Sequence, residues 1–178
     1  MKKKELIDLI TGISLLLIAG VILLLPTFKV NDLSFILKTI FGFYALIKLT
    51  QFIIIIKEKD FESLFTCLIS LGALVSLFII DLTTKNMVLV LLIWMALMCL
   101  IKLKKADFYH DKHSKMWIMR VFILFVFLTS GLLTGLNLYY EASVQTIIIG
   151  FFFFINGILD VIDPITVYLM GVKNESNK

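Results

Sequence analysis

Charge is what this 178-residue chain has least of: Asp, Glu, Lys and Arg make up 17% of it, against 60% hydrophobic residues and a mean hydropathy of +1.02. That scarcity excludes an ordinary soluble domain, in which about a quarter of the residues are charged. Cysteine is scarce as well. Cys67 and Cys99 both fall inside apolar runs, which excludes a disulfide framework and leaves them as small apolar packing residues. No HExxH, GxSxG or phosphate-binding glycine loop occurs, and no paired carboxylates flank a nucleophile, so a non-enzymatic role without a cofactor is expected. The formal net charge of +4 would fit nucleic acid in a soluble chain. Here the basic residues border apolar segments, so the expected partner is a lipid bilayer with anionic headgroups.

What is present is a series of apolar stretches at 6–25, 35–56, 64–80, 87–101, 116–136 and 144–162. A hydrocarbon core of about 30 Å asks for roughly 20 helical residues. The stretch 87–101 is the weakest, since it would rise only about 22 Å at 1.5 Å per residue. Stretch 35–56 carries Lys38 and Lys48, each costing about 3 kcal/mol at the centre of a bilayer. Its fourteen Leu, Ile and Phe residues, at about 0.3–0.6 kcal/mol each, offset both. The runs are continuous rather than alternating, and open strands cannot satisfy their backbone in hydrocarbon, so the expected fold class is all-α: one transmembrane domain spanning 1–178, with a short tail at 164–178. Lys2, Lys3 and Lys4 before an apolar run imitate a signal peptide. The run ends in Leu23-Leu24-Leu25-Pro26-Thr27-Phe28, without the small residues a signal peptidase needs, so an uncleaved first helix is expected.

Loop charge sets a direction. Lys2, Lys3, Lys4, Lys57, Lys59, Lys102, Lys104, Lys105, Lys112, Lys115, Lys173 and Lys178 fall on one side, against Lys29 and Lys85 on the other. By the positive-inside rule both termini are expected in the cytoplasm.

Three helix pairs joined by short outer loops raise the expectation of internal duplication. Gly42-Phe43-Tyr44 parallels Gly150-Phe151-Phe152, Ala19-Gly20 parallels Ser130-Gly131, and Ser70-Leu71-Gly72 stands as a middle copy, with Trp94 where the other pairs have glycine. Gly12 and Gly20 followed by Pro26, then Gly42, Gly72, and Ser143-Val144 leading to Gly150, resemble the HdeD family of small bacterial membrane proteins over nearly the whole chain. That resemblance implies six helices in three two-helix repeats, an association with acid or envelope stress, and no defined chemistry. Gly12, Ala19, Gly20, Gly42, Ala45, Gly72, Gly131, Gly135, Gly150 and Gly157 are read as close helix contacts, because lipid gives little hydrophobic drive for helices to associate.

Polar residues at membrane depth tend to face partners or water. Asn156, Asp160 and Asp163 share a face of the last helix, below Ile149, Phe152 and Phe153. Arg120 and Asp160 lie equally far from the loop centre near Tyr140, which predicts an ion pair between them; the alternative is that each reaches the headgroups separately. Lys48 shares a face with Tyr44, Ala45, Gln51 and Phe52 and occupies the repeat position of Asn156. It is read either as pairing with Asp160 in a proton or ion relay, or as snorkelling toward the cytoplasm. Asp107, His110, Asp111 and His113 form a loose group that could ligate a metal or sense pH, or be simply solvated. Two functions follow. One is a stress-linked protein of the HdeD type, acting through its bundle, as a homo-oligomer or with another membrane protein; the other is a small ion or solute channel or transporter using Lys48, Asn156 and Asp160. A continuous polar cavity reaching both faces separates them.

Overall fold

The computed structural model describes residues 3–56, 61–111 and 114–176; His113 and the lysines at 2, 57, 59, 112 and 178 lie outside them. Among the described residues there are six α-helices and no strand: α1 Lys3–Leu24, α2 Leu33–Ile54, α3 Phe61–Ile79, α4 Thr84–Asp111, α5 Met116–Asn137 and α6 Ala142–Ser176. All six are long and apolar enough to cross a membrane, and the chain is a multi-pass helical membrane protein. Its exterior fits hydrocarbon rather than water: Leu17, Phe78, Ile79, Phe125 and Leu136 are each at least 65% exposed.

Local chemistry fixes the ends. Pro26 follows α1 and tightens the chain into a 3-10 turn over Leu25–Phe28, which Lys29 closes in the left-handed region at φ 58°. The Lys29 amide donates to the Pro26 carbonyl at 3.0 Å and the Val30 amide to that of Leu25 at 3.1 Å. Asp32 then caps α2, its Oδ1 accepting from the amides of Ser34 and Phe35 at 2.9 and 3.2 Å.

Helix α4 is longer than the hydropathy reading made it. It runs 28 residues rather than fifteen. Lys102 and Lys105 end the apolar run without ending the helix, because each meets a carboxylate inside the bundle. The expected tail is likewise helical through Ser176, with Pro164 inside α6. Pro164 supplies no amide to the carbonyl of Asp160.

The expected unit of three outer-loop hairpins is not how the helices associate most closely. The most extensive contact is between α1 and α6, followed by α2 with α3 and α4 with α5; α1 meets α2 only slightly. Glycine explains the first of these. A Cβ on Gly12 would come within 2.9 Å of the Asp160 carbonyl group, one on Gly157 within 2.9 Å of Leu16 Cα, and one on Gly150 within 2.8 Å of the Leu23 side chain. Positions ascending α1 meet positions descending α6, an antiparallel contact at backbone distance. Gly131 lies against Met95, and Gly135 against Leu92. Gly20 and Gly72 meet nothing within 4 Å, and Gly42 only a Leu74 methyl at 4.0 Å, so these three are not close-approach positions. Gly20 and Gly72 face no neighbouring helix, and Gly42 faces α3 across a side chain.

Candidate functional site

Following the buried face of each helix toward the end that bears both termini leads from apolar side chains to charged ones. On α1 the face runs Ile22, Ala19, Leu15, Thr11 to Asp8; on α3, Leu77, Ala73, Ser70, Thr66 to Glu62; on α4, Leu91, Trp94, Met98 to Lys102 and Lys105. With Lys48 and Gln51 from α2, Arg120 from α5, and Asp160 and Asp163 from α6, these side chains line one chamber to which all six helices contribute. Its volume is ≈ 40 Å³. About two or three water molecules fit such a space, and no larger solute.

Four carboxylates and four cationic side chains face each other there. Lys105 Nζ lies 2.7 Å from Glu62 and 3.1 Å from Asp163 Oδ2, and the Arg120 guanidinium pairs with the same oxygen of Asp163. Lys102 Nζ lies 3.3 Å from Asp160 Oδ1. Lys48 Nζ donates to Gln51 Oε1 at 3.1 Å, and Gln51 Nε2 donates to Asp8 Oδ1. The Tyr44 hydroxyl donates to Asp160 Oδ2 at 3.0 Å and accepts from Asn156 Nδ2 at 2.7 Å. The predicted Arg120–Asp160 pair is therefore replaced by Arg120–Asp163, one helical turn along. The antiparallel count from the loop sets depth only to within a turn, and the guanidinium spans the difference. Arg120 also stacks its guanidinium over Tyr109, 5.0 Å from the ring centre.

Buried charges are costly unless paired and hydrogen-bonded, and a paired set is often no more stable than apolar residues of the same shape. Intramembrane ionisable groups on this scale mark function by default. The chamber still keeps unpartnered polar atoms: Arg120 Nε, Asp163 Oδ1 and, one turn above Asp160, Asn156 Oδ1. Glu62, with its side chain 35% exposed, opens the chamber at the terminus-bearing end.

On the other side the chamber is closed. Trp94, 1% exposed, stands at the centre of an aromatic layer, its ring centroid 5.4 Å from Phe41, 5.6 Å from Tyr44 and Phe153, 6.3 Å from Phe127 and 6.4 Å from Phe152. The indole Nε1 donates to Ser70 Oγ at 3.1 Å, which fixes the ring. The tryptophan that interrupts the glycine pattern is thus the seal of the bundle. Lys102 reaches up to it, 5.1 Å from the Phe127 ring centre.

Tyr44 joins seal to chamber. Tyr44→Phe is expected to lower stability by about 1–3 kcal/mol, because it strips a buried partner from both Asn156 and Asp160. Tyr44→Leu should cost more, through the lost ring contacts. A melting curve of the detergent-solubilised protein measures both, and an unchanged Tyr44→Phe midpoint would show those hydrogen bonds to be idle.

Sequence reasoning brought Lys48, Gln51, Arg120, Asn156, Asp160 and Asp163 forward; it counted Lys102 and Lys105 only among the loop lysines and did not single out Asp8 or Glu62. The signal for them is the period of 3.6: each extends a buried apolar face by one more turn. Three members of the other candidate group come together, and the fourth, His113, lies outside the described residues. Asp107, His110 and Asp111 sit exposed on the last turns of α4, with ligand atoms within 4.8 Å of one another. Set against known proteins, the chain matches no family model, no curated protein and no solved structure. Fold and site define a class: a six-helix membrane protein with a charged chamber at one end and an aromatic seal above it.

Proposed function

We propose that the chain is a non-enzymatic, non-conducting protein of a bacterial inner membrane, with both termini in the cytoplasm. It acts through its bundle or a membrane partner in the acid- or envelope-stress setting that the HdeD resemblance implies. The observation that carries this reading is the aromatic seal. A transporter needs a polar path to both faces, and here the charged chamber meets Phe41, Tyr44, Trp94, Phe127, Phe152 and Phe153, all at most 3% exposed. The excess of lysine at the chamber end supports a cytoplasmic placement for it.

A second reading, a proton or small-ion transporter, draws on the chamber itself: eight ionisable groups around a space of water dimensions, open at one end. A flux measurement divides the two. Protein in liposomes under a pH gradient is expected to pass no more protons, sodium or potassium than empty liposomes, and Lys48→Ala and Asp160→Asn are expected to behave alike. Flux in the native protein that Asp160→Asn abolishes would replace the first reading with the second.

A further inference from the structure

A groove of ≈ 390 Å³ runs between α3 and α4 on the outside of the bundle, next to the chamber but distinct from it. Its floor and walls are aromatic and aliphatic: Phe61 and Phe65 from α3, Ile101, Phe108 and Tyr109 from α4. Phe61, Phe65 and Phe108 are each more than half exposed. Its rim is basic, with Lys4 from α1 and Lys104 and Lys105 from α4; the one acid, Glu62, is already engaged by Lys105.

Depth decides what this combination recognises. Lys104 lies 20 residues beyond Thr84, the start of α4, a rise of about 30 Å, which equals the thickness of the hydrocarbon core. If the start of α4 lies at one interface, Lys104 lies at the other, level with lipid phosphates. An apolar trough that opens to acyl chains and ends in ammonium groups at phosphate depth is complementary to one kind of molecule. We infer that the α3–α4 groove is a binding site for an anionic phospholipid, one acyl chain lying along Phe65 and Ile101, the phosphate held by Lys104 and Lys4, and the headgroup beside Phe61 and Phe108. Glu62 and Lys105 line both the groove and the chamber, so a headgroup bound here lies one side chain from the charge network. The site does not depend on whether the chamber conducts.

The test is competition between phosphatidylglycerol and phosphatidylcholine carrying the same labelled chains, measured on the full-length protein in nanodiscs. The native protein is expected to prefer phosphatidylglycerol. Lys104→Ala is expected to reduce that preference about fivefold, the effect of one lysine near an anionic surface. Lys115→Ala, which removes an exposed charge at the same end of the bundle but outside the groove, is expected to leave it unchanged. Phe65→Ala is expected to weaken both lipids alike. Equal binding of the two lipids by the native protein overturns the inference. So does an equal loss in Lys104→Ala and Lys115→Ala, which is diffuse attraction of lipid to charge, and so does unaltered binding in Phe65→Ala. Lys104 and Lys115 are both exposed, so their replacement leaves the fold in place.

Discussion

Arg120→Leu is expected to remove about 3–5 kcal/mol of folding stability, because it leaves Asp163 charged and short of its closest partner inside the bundle. The guanidinium is 5% exposed and the Asp163 carboxylate 16%, so water cannot make up the loss. Lys105 remains beside Asp163, but Glu62 competes for it. The decisive variant is the double one. Arg120→Leu with Asp163→Leu should recover more than half of the loss, since an apolar pair of similar volume removes the uncompensated charge. Arg120→Leu with Asp160→Leu should recover none, because Asp160 answers to Lys102 and Tyr44 instead. Unfolding in mixed micelles with a denaturing detergent measures all four proteins. Recovery by the Asp160 double instead of the Asp163 double would restore the pairing that simple loop counting predicts.

The second large effect is expected at the α1–α6 contact. Gly12→Val and Gly157→Val should each cost about 3 kcal/mol, the upper end of overpacking. The atoms a Cβ would meet are the backbone of Asp160 and Val161 in one case and of Leu16 in the other, none of which can swing aside as the end of a side chain can. Gly20→Ala and Gly72→Ala serve as the comparison. With nothing within 4 Å of either Cβ, they should be neutral or gain up to about 1 kcal/mol from helix propensity. The same micelle titration ranks the four; a Gly12→Val protein as stable as Gly20→Ala would mean that α1 slides past α6 freely.

Both cases show what the sequence could convey. The six spans were legible because lipid selects on apolar length alone, a property that needs no partner to be read. Trp94 was legible as an exception to a glycine pattern but not as a seal, since its meaning depends on aromatic rings from three other helices. Arg120 and Asp163 were each marked as polar at depth, yet the register between them depends on how two helices cross. Asp8 and Glu62 were overlooked for a different reason: an acid near the end of an apolar run is normally taken to reach water, and only the neighbouring helices decide that it turns inward. Gly12 and Gly20 look alike in the chain; one faces α6 and the other faces no helix.

The close association of α1 with α6 has a consequence for biogenesis. Helix α1 finds its principal neighbour in α6, and roughly 120 residues separate the end of one from the start of the other. At 5–20 residues per second, α1 spends roughly 6–24 s in the membrane, with Asp8 not yet enclosed, before α6 exists. The α1–α6 contact therefore closes only after the four intervening helices have been made, and a chain cut short anywhere before α6 leaves that acid and its glycine face exposed to lipid, a ready mark for quality-control proteases.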